Sequence, residues 1–137
     1  MAKTGKEIQD DFYRMLVGST LAGAVSGRVY KNGYRPRDSK AEDIIVIFTT
    51  GLADQIQSGV VTLNIYVPDV APYDNGVLVE DGVRTMAIER AAADWVTANA
   101  GSTNYRLRLQ RAITTDYEES IQQHFVVVQL RYDYFDE

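Results

Sequence analysis

The chain contains no cysteine and a single histidine, His124. The first absence removes disulfides, thiolate zinc sites, iron–sulfur ligation and a cysteine nucleophile. The second forces any serine–histidine–aspartate triad, or any imidazole metal site, through one residue. Long apolar runs are also missing: the longest are Ile44 to Phe48 and Phe125 to Val128, far short of the ~20 residues of a spanning helix. The sequence therefore predicts no membrane span. Met1-Ala2-Lys3-Thr4-Gly5-Lys6-Glu7 leads into mixed polar residues without the apolar segment of a secretory signal, so use without export is expected. Basic charge is scarce: 14 Lys and Arg stand against 19 Asp and Glu, a formal charge of -5 and a pI near 4.9. That balance disfavours a generic nucleic-acid coat or a polybasic membrane binder. There is no low-complexity tract and no repeat at solenoid or propeller period.

What is present is ordinary for a folded chain. The 137 residues are 45% apolar and 24% charged, the size and composition of one globular domain spanning 1–137. Thr4 followed by Glu7 has the capping-box spacing, and Ile8, Phe12, Met15 and Leu16 recur at helical intervals. This predicts an amphipathic helix from about Gly5 to Val17. The small-residue stretch Leu21 to Gly27 predicts a turn, and a short edge strand is expected at Arg28-Val29-Tyr30. Lys31 to Lys40 combines Asn32-Gly33 and Arg35-Pro36 with many cations, which predicts an exposed, mobile loop.

Ile44 to Thr50 is β-branched without alternation, the pattern of a central strand covered on both faces. Val60 to Val67 alternates, with Val61, Leu63, Ile65 and Val67 on one side. The intervening Gly51 to Gly59 is too short for a helical crossover, so the two strands are expected to pair as an antiparallel hairpin with a wide loop. Val79, Val83, Met86, Ala87, Ala92, Trp95 and Val96 suggest a long helix from about Val77 to Asn99, with Gly101 as its left-handed stop before Ser102-Thr103-Asn104. Tyr105 to Thr114 and Gln123 to Phe135 read as two further strands around an acidic loop, Thr115 to Glu119. The expected fold class is α+β, in the order α-β-β-α-β-β. Its sheet is mostly antiparallel, four-stranded or slightly larger, and carries two helices. The expected core is Ile8, Phe12, Met15, Leu16, Ile45, Ile47, Val61, Leu63, Ile65, Val83, Met86, Trp95, Leu107, Leu109, Val126, Val128 and Leu130.

Little here points to catalysis. His124 shares a strand face with Val126, Val128 and Leu130, which favours a packed histidine over a catalytic one. The pairs Asp10-Asp11, Glu42-Asp43, Glu80-Asp81 and Glu118-Glu119 are adjacent in sequence and point apart on a helix or strand. Gly18 to Gly23 has the glycine spacing of a phosphate loop, but Ala24 and Val25 stand where Lys and Ser or Thr are needed. No catalytic residue, cofactor or metal site is assigned, and the chain is read as a non-enzyme.

Nine tyrosines and a ten-to-four excess of arginine over lysine fit either sheet propensity or an interface. Two segments of opposite sign stand out. Arg28, Lys31, Arg35, Arg37 and Lys40, with Tyr34 among them, form a basic stretch, whereas Asp116, Glu118, Glu119, Asp133, Asp136 and Glu137 are acidic. They are either solvated loops or the two halves of a heterologous contact between copies, which closes into a ring if the rotation permits. On these grounds Arg28, Lys31, Tyr34, Arg35, Arg37, Lys40, Asp116, Glu118, Glu119 and Asp133 are the candidate interface residues. A small-ligand or enzyme site beneath the long helix is a second reading. A nucleic-acid surface using the basic loop with Arg106, Arg108 and Arg111 is a third.

The order of elements resembles a family. An N-terminal helix, a small-residue turn into Gly27-Arg28-Val29-Tyr30, a loop at Arg35-Pro36, a strand, a wide loop, an alternating strand ending in Tyr66-Val67-Pro68, a long helix and a closing hairpin are similar to the tail terminator or tail completion proteins of long-tailed bacteriophages and prophages. The resemblance implies a homo-oligomeric ring, typically of six, that caps the tail tube protein and meets the head–tail connector. Another neck or head-closure role is the neighbouring reading. DNA would pass through unread, and the protein would sit in the virion tail or neck after assembly in the host bacterial cytoplasm. The family offers no catalytic residues to carry over.

Overall fold

The structure, a computed structural model, describes residues 2–53, 56–101 and 104–135. The expectations for Ser102-Thr103, Asp136 and Glu137, and for the part of the wide loop at 54–55, lie outside these. The elements run α1 (Gly5–Leu16), α2 (Thr20–Ala24), β1 (Val29–Lys31), β2 (Ile44–Leu52), β3 (Gln57–Pro68), α3 (Gly82–Ala98), β4 (Tyr105–Leu109), β5 (Thr114–Glu118), a 3₁₀ turn at Glu119–Ile121, and β6 (Gln123–Tyr134). The fold is α+β as expected, but its sheet has six strands and its helices number three among the described residues. Strand order is β1-β2-β3-β6-β4, with β5 pairing further along β6. Four pairings are antiparallel; β1 runs parallel to β2.

The start of α1 follows the sequence closely. Glu7 N donates to Thr4 Oγ1 at 3.3 Å and Thr4 N donates to Glu7 Oε1 at 2.9 Å, closing the capping box. The helix ends one residue before Val17, and Gly18 follows at φ 77°. The small-residue stretch is not simply a turn. Ser19 accepts from Ala22 N at 3.1 Å and nucleates the short α2, whose Leu21 enters the core.

The β2–β3 hairpin is as expected and longer. Pairing continues to Leu52↔Ser58, with a bulge between Phe48 and Thr50, so most of the wide loop is strand. The face assignment of β2 is reversed: Ile44 and Val46, not Ile45 and Ile47, join the main core. A non-alternating run carries no phase, and the register with Leu63 and Ile65 sets it instead.

Helix α3 begins at Asp81, whose carboxylate accepts from Arg84 N at 3.3 Å, rather than near Val77. Val79 is held in a bridge to Val70 and cannot join the helix. The buried stripe is Thr85, Ile88, Ala92, Trp95 and Val96. Val83 and Met86, expected in the core, are 81% and 75% exposed. Apolar residues line more than one side of this helix, so periodicity alone did not fix which side turns inward. Gly101 is not left-handed; Asn99 Nδ2 closes the helix end on Trp95 O at 2.8 Å.

The last third departs most. The expected strand Tyr105 to Thr114 is split, because Leu109 pairs with Leu130 and Thr114 with Val127, leaving Gln110 to Ile113 bulged outward. Leu109 is consequently half-exposed, not core. The expected acidic loop Thr115 to Glu119 is mostly strand β5, turned back through Gln122 at φ 51°. Its Thr and Tyr have the strand propensity that its charge obscured.

Helices α1 and α3 cover one face of the sheet. Between them lie Ile8, Phe12, Leu16, Leu63, Ile65, Ile88, Trp95, Val128 and Leu130, with Met15 packed partly against them. Three tyrosines absent from the expected core, Tyr105, Tyr132 and Tyr134, join it. Phe12, Tyr105 and Tyr132 meet edge to face at centroid distances of 5.1 to 6.0 Å.

Candidate functional site

A buried, heavily hydrogen-bonded polar cluster gathers where β1, β2 and the start of β6 meet. Asp43 is almost wholly buried and accepts from Arg28 N at 2.9 Å, Arg35 Nε at 2.8 Å and Ser39 Oγ at 2.6 Å. Arg35 also donates through Nη2 to Ala41 O at 3.2 Å and Gln123 Oε1 at 2.8 Å, and its guanidinium lies 4.4 Å over the Tyr66 ring. Gln123 returns a bond to Ser39 O at 2.9 Å. Gly27 makes this possible: a Cβ there would overlap Asp43 Oδ1. Burial, and secondarily the nearby Glu118 charge, push the Tyr66 phenol up. A neighbouring bidentate pair joins Arg84 to Glu42 at 2.8 Å through two nitrogens, with Nη2 also reaching Ala24 O at 2.8 Å. The Arg84 bonds hold the Glu42 carboxyl below its ordinary value against the opposing effect of burial.

The basic segment, expected as an exposed loop, is tied down at Arg35 and Ser39. Of the other candidate interface residues, Lys31 pairs with Asp10 at 2.7 Å and lies 5.2 Å over Tyr13. Arg28, Tyr34, Arg37 and Lys40 are exposed; Asp116 and Glu119 are exposed and Glu118 is half-buried. A cleft of about 450 Å³ on the uncovered sheet face has Arg35 and Arg37 on one wall and Glu118 and Ser120 on the other, over Ile45, Ile47, Asn64 and Tyr66. A second concavity brings Arg37 and Lys40 beside Glu119. The basic and acidic segments therefore flank the same clefts of one chain. They do not mark opposite ends of the molecule. Sheet order causes this, because β3 places the β5–β6 turn beside the β1–β2 crossover. Asp133 is separated from the acidic turn: it lies ten residues beyond Gln123 on β6, about 33 Å away at strand rise.

His124 is mostly buried on the helix-facing side. Its Nδ1 is 2.7 Å from Asp69 Oδ1, its Nε2 is 3.7 Å from Glu80 Oε1, and its ring stacks against Tyr117 at 4.7 Å. Thr85 Oγ1 donates to Glu80 at 2.6 Å. These bonds clamp the β3–α3 segment onto β6 and orient the ring. No group of three His, Asp or Glu side chains suited to a metal occurs among the described residues. The described side chains between the helices and the middle of the sheet are apolar, and the polar groups on this side, His124 with Asp69, Glu80 and Thr85, gather at the start of α3. No described helix is long and apolar enough to cross a membrane.

Two further features went unread in the sequence. One is apolar exposure at both ends of the sheet: Leu52 and Ile56 at the β2–β3 tip, and Tyr73, Val77, Leu78, Val83 and Met86 around the start of α3. The other is the pairing of Arg108 directly opposite Arg131, which only the β4–β6 register reveals. The sequence matches no protein-family model and no curated protein.

Proposed function

We propose that the chain is a structural subunit of bacteriophage or prophage assembly, a tail terminator. Its copies form a ring, hexameric in this reading, on the last ring of the tail tube and join it to the head connector. The protein works in the virion tail or neck after assembly in the host bacterial cytoplasm, and DNA passes the ring without sequence readout.

The observation that carries this reading is the pair of unlike apolar surfaces at the two ends of the sheet. Leu52 and Ile56 stand at the Gln57 end of β3, whereas Val77, Leu78, Val83 and Met86 follow its Pro68 end. Eleven strand steps of about 3.4 Å separate these ends by roughly 37 Å. A rigid subunit with different sticky surfaces at opposite ends is suited to heterologous contacts, which build rings and stacked layers. The element order resembling tail terminators supports the same reading.

The test is absolute mass by light scattering over a wide concentration range, followed by binding to tail tube protein and to connector proteins separately. A discrete ring-sized species that binds the tube protein is expected. Binding to portal-side proteins alone would transfer the chain to a head-closure role, and a monomer that binds neither would overturn the assembly reading.

A further inference from the structure

Three arginines, Arg106, Arg108 and Arg131, share one carboxylate, Asp133, among the described residues. Arg108 sits directly opposite Arg131, and Arg106 lies two residues away on the same face of β4, across from Asp133. That face is turned away from α1 and α3, since the intervening Leu107, Leu130 and Tyr132 are in the core. Like charges directly opposite on a sheet oppose the pairing they sit on. Asp133 approaches Arg108 only to 3.9 Å, and Arg131 reaches the amide oxygen of Gln110 at 3.4 Å. Among the described residues no closer carboxylate serves the three guanidinium groups. At the other end of the same face stand Asp116 and Glu118, across from Phe125 and Gln123, with Glu119 next in the chain. None of these three acids forms an ion pair among the described residues. Six strand steps along β6, from Phe125 to Arg131, put the two clusters about 20 Å apart.

We infer that these clusters meet between copies: the Asp116–Glu119 edge of one molecule docks on Arg106, Arg108 and Arg131 of the next. This rests on the assembly reading above and names its contact. The contact is heterologous, so it repeats from copy to copy and closes where the rotation allows. Arginine suits it because the planar fork takes carboxylates bidentately. Carboxylates inserted between Arg108 and Arg131 also remove the repulsion that the free chain carries. The Arg28 to Lys40 segment and the acidic turn flank shared clefts of one chain, so Arg106, Arg108 and Arg131 are the cations that stand apart from that turn.

The experiment compares assembly of the full chain with two charge-reversed variants, R106E/R108E/R131E and D116K/E118K/E119K, by sedimentation at low and high salt, with far-UV circular dichroism to verify folding. Each variant alone should show its apparent dissociation constant raised by about tenfold or more, since both then place like charges in contact. An equimolar mixture should assemble like the wild type, because each altered surface then faces an opposite one. A milder variant, R108Q/R131Q, should raise the thermal midpoint of the free chain while weakening assembly, a combination that a purely structural role would not produce. Wild-type rings together with unaffected variants would overturn this inference and leave the assembly reading standing. A mixture that fails to recover would do the same. A wild type that neither self-associates nor binds tail tubes would remove both. Loss of duplex DNA binding in the arginine variant, with assembly unchanged, would make the cluster a nucleic-acid surface and overturn the proposed contact.

Discussion

Replacing Arg35 by methionine tests how the basic segment is held. The substitution keeps the aliphatic stem over Tyr66 but removes the bonds to Asp43, Ala41 O and Gln123. The side chains of Arg35 and Asp43 are only 9% and 2% exposed, so the Asp43 carboxylate left behind would stay buried with Ser39 Oγ and Arg28 N as its remaining donors. Removing one partner of a buried pair costs about 3–5 kcal/mol, a large share of the roughly 5–15 kcal/mol that stabilises a domain. For a chain of this size that corresponds to a fall in thermal midpoint of roughly 10–20 °C. Urea and thermal unfolding followed by circular dichroism would measure it. The double variant R35M/D43L should recover part of the loss, because no uncompensated charge remains. A single-variant loss below about 1 kcal/mol, the range of an exposed ion pair, would refute the idea that this pair anchors the segment.

Other residues make independent predictions. Tyr132 Oη is buried with no described partner and faces Gly51 and Gly59. Tyr132→Phe should therefore be neutral or stabilise by up to about 1 kcal/mol in denaturant titration, and a loss above about 1.5 kcal/mol would show a missing partner. Gly27→Ala should destabilise by more than about 2 kcal/mol, since its Cβ would enter the Asp43 carboxylate; unchanged unfolding would contradict the close approach. The Glu42 carboxyl is held below its ordinary value of 4.5, first by its bonds to Arg84. Its contribution to stability is thus complete above pH 4.5 and is lost as pH falls below that toward the lowered folded value. Unfolding measured across this window should show a slope that Arg84→Met reduces; an identical slope in the variant would assign it to other groups.

How much was legible follows from which interactions are local. The α1 cap, its Ile8-Phe12-Leu16 stripe and the alternating β3 all announce themselves within a few residues, and all formed as expected. Ile44 to Phe48 named a strand but not its phase, because every position is apolar and only pairing with β3 chooses the inward side. Val83 and Met86 misled for a related reason: α3 has apolar residues on several sides, and the Glu42–Arg84 pair and Asp81 cap fix its rotation from outside the helix. The acidic run after Ile113 concealed a strand whose existence depends on β6 lying beside it. The same non-local pairing brings the basic and acidic segments to one cleft and sets Arg108 against Arg131. Residue types identified the charged groups; sheet order alone decided which of them are neighbours.

The proposed role at the end of a tail tube can be seen by electron microscopy of tubes grown from tail tube protein with and without this chain. Short, uniform tubes bearing one additional ring at a single end are expected, with elongation halted once that ring is in place. Tubes that grow to unrestricted length with bare ends at saturating protein would contradict that role.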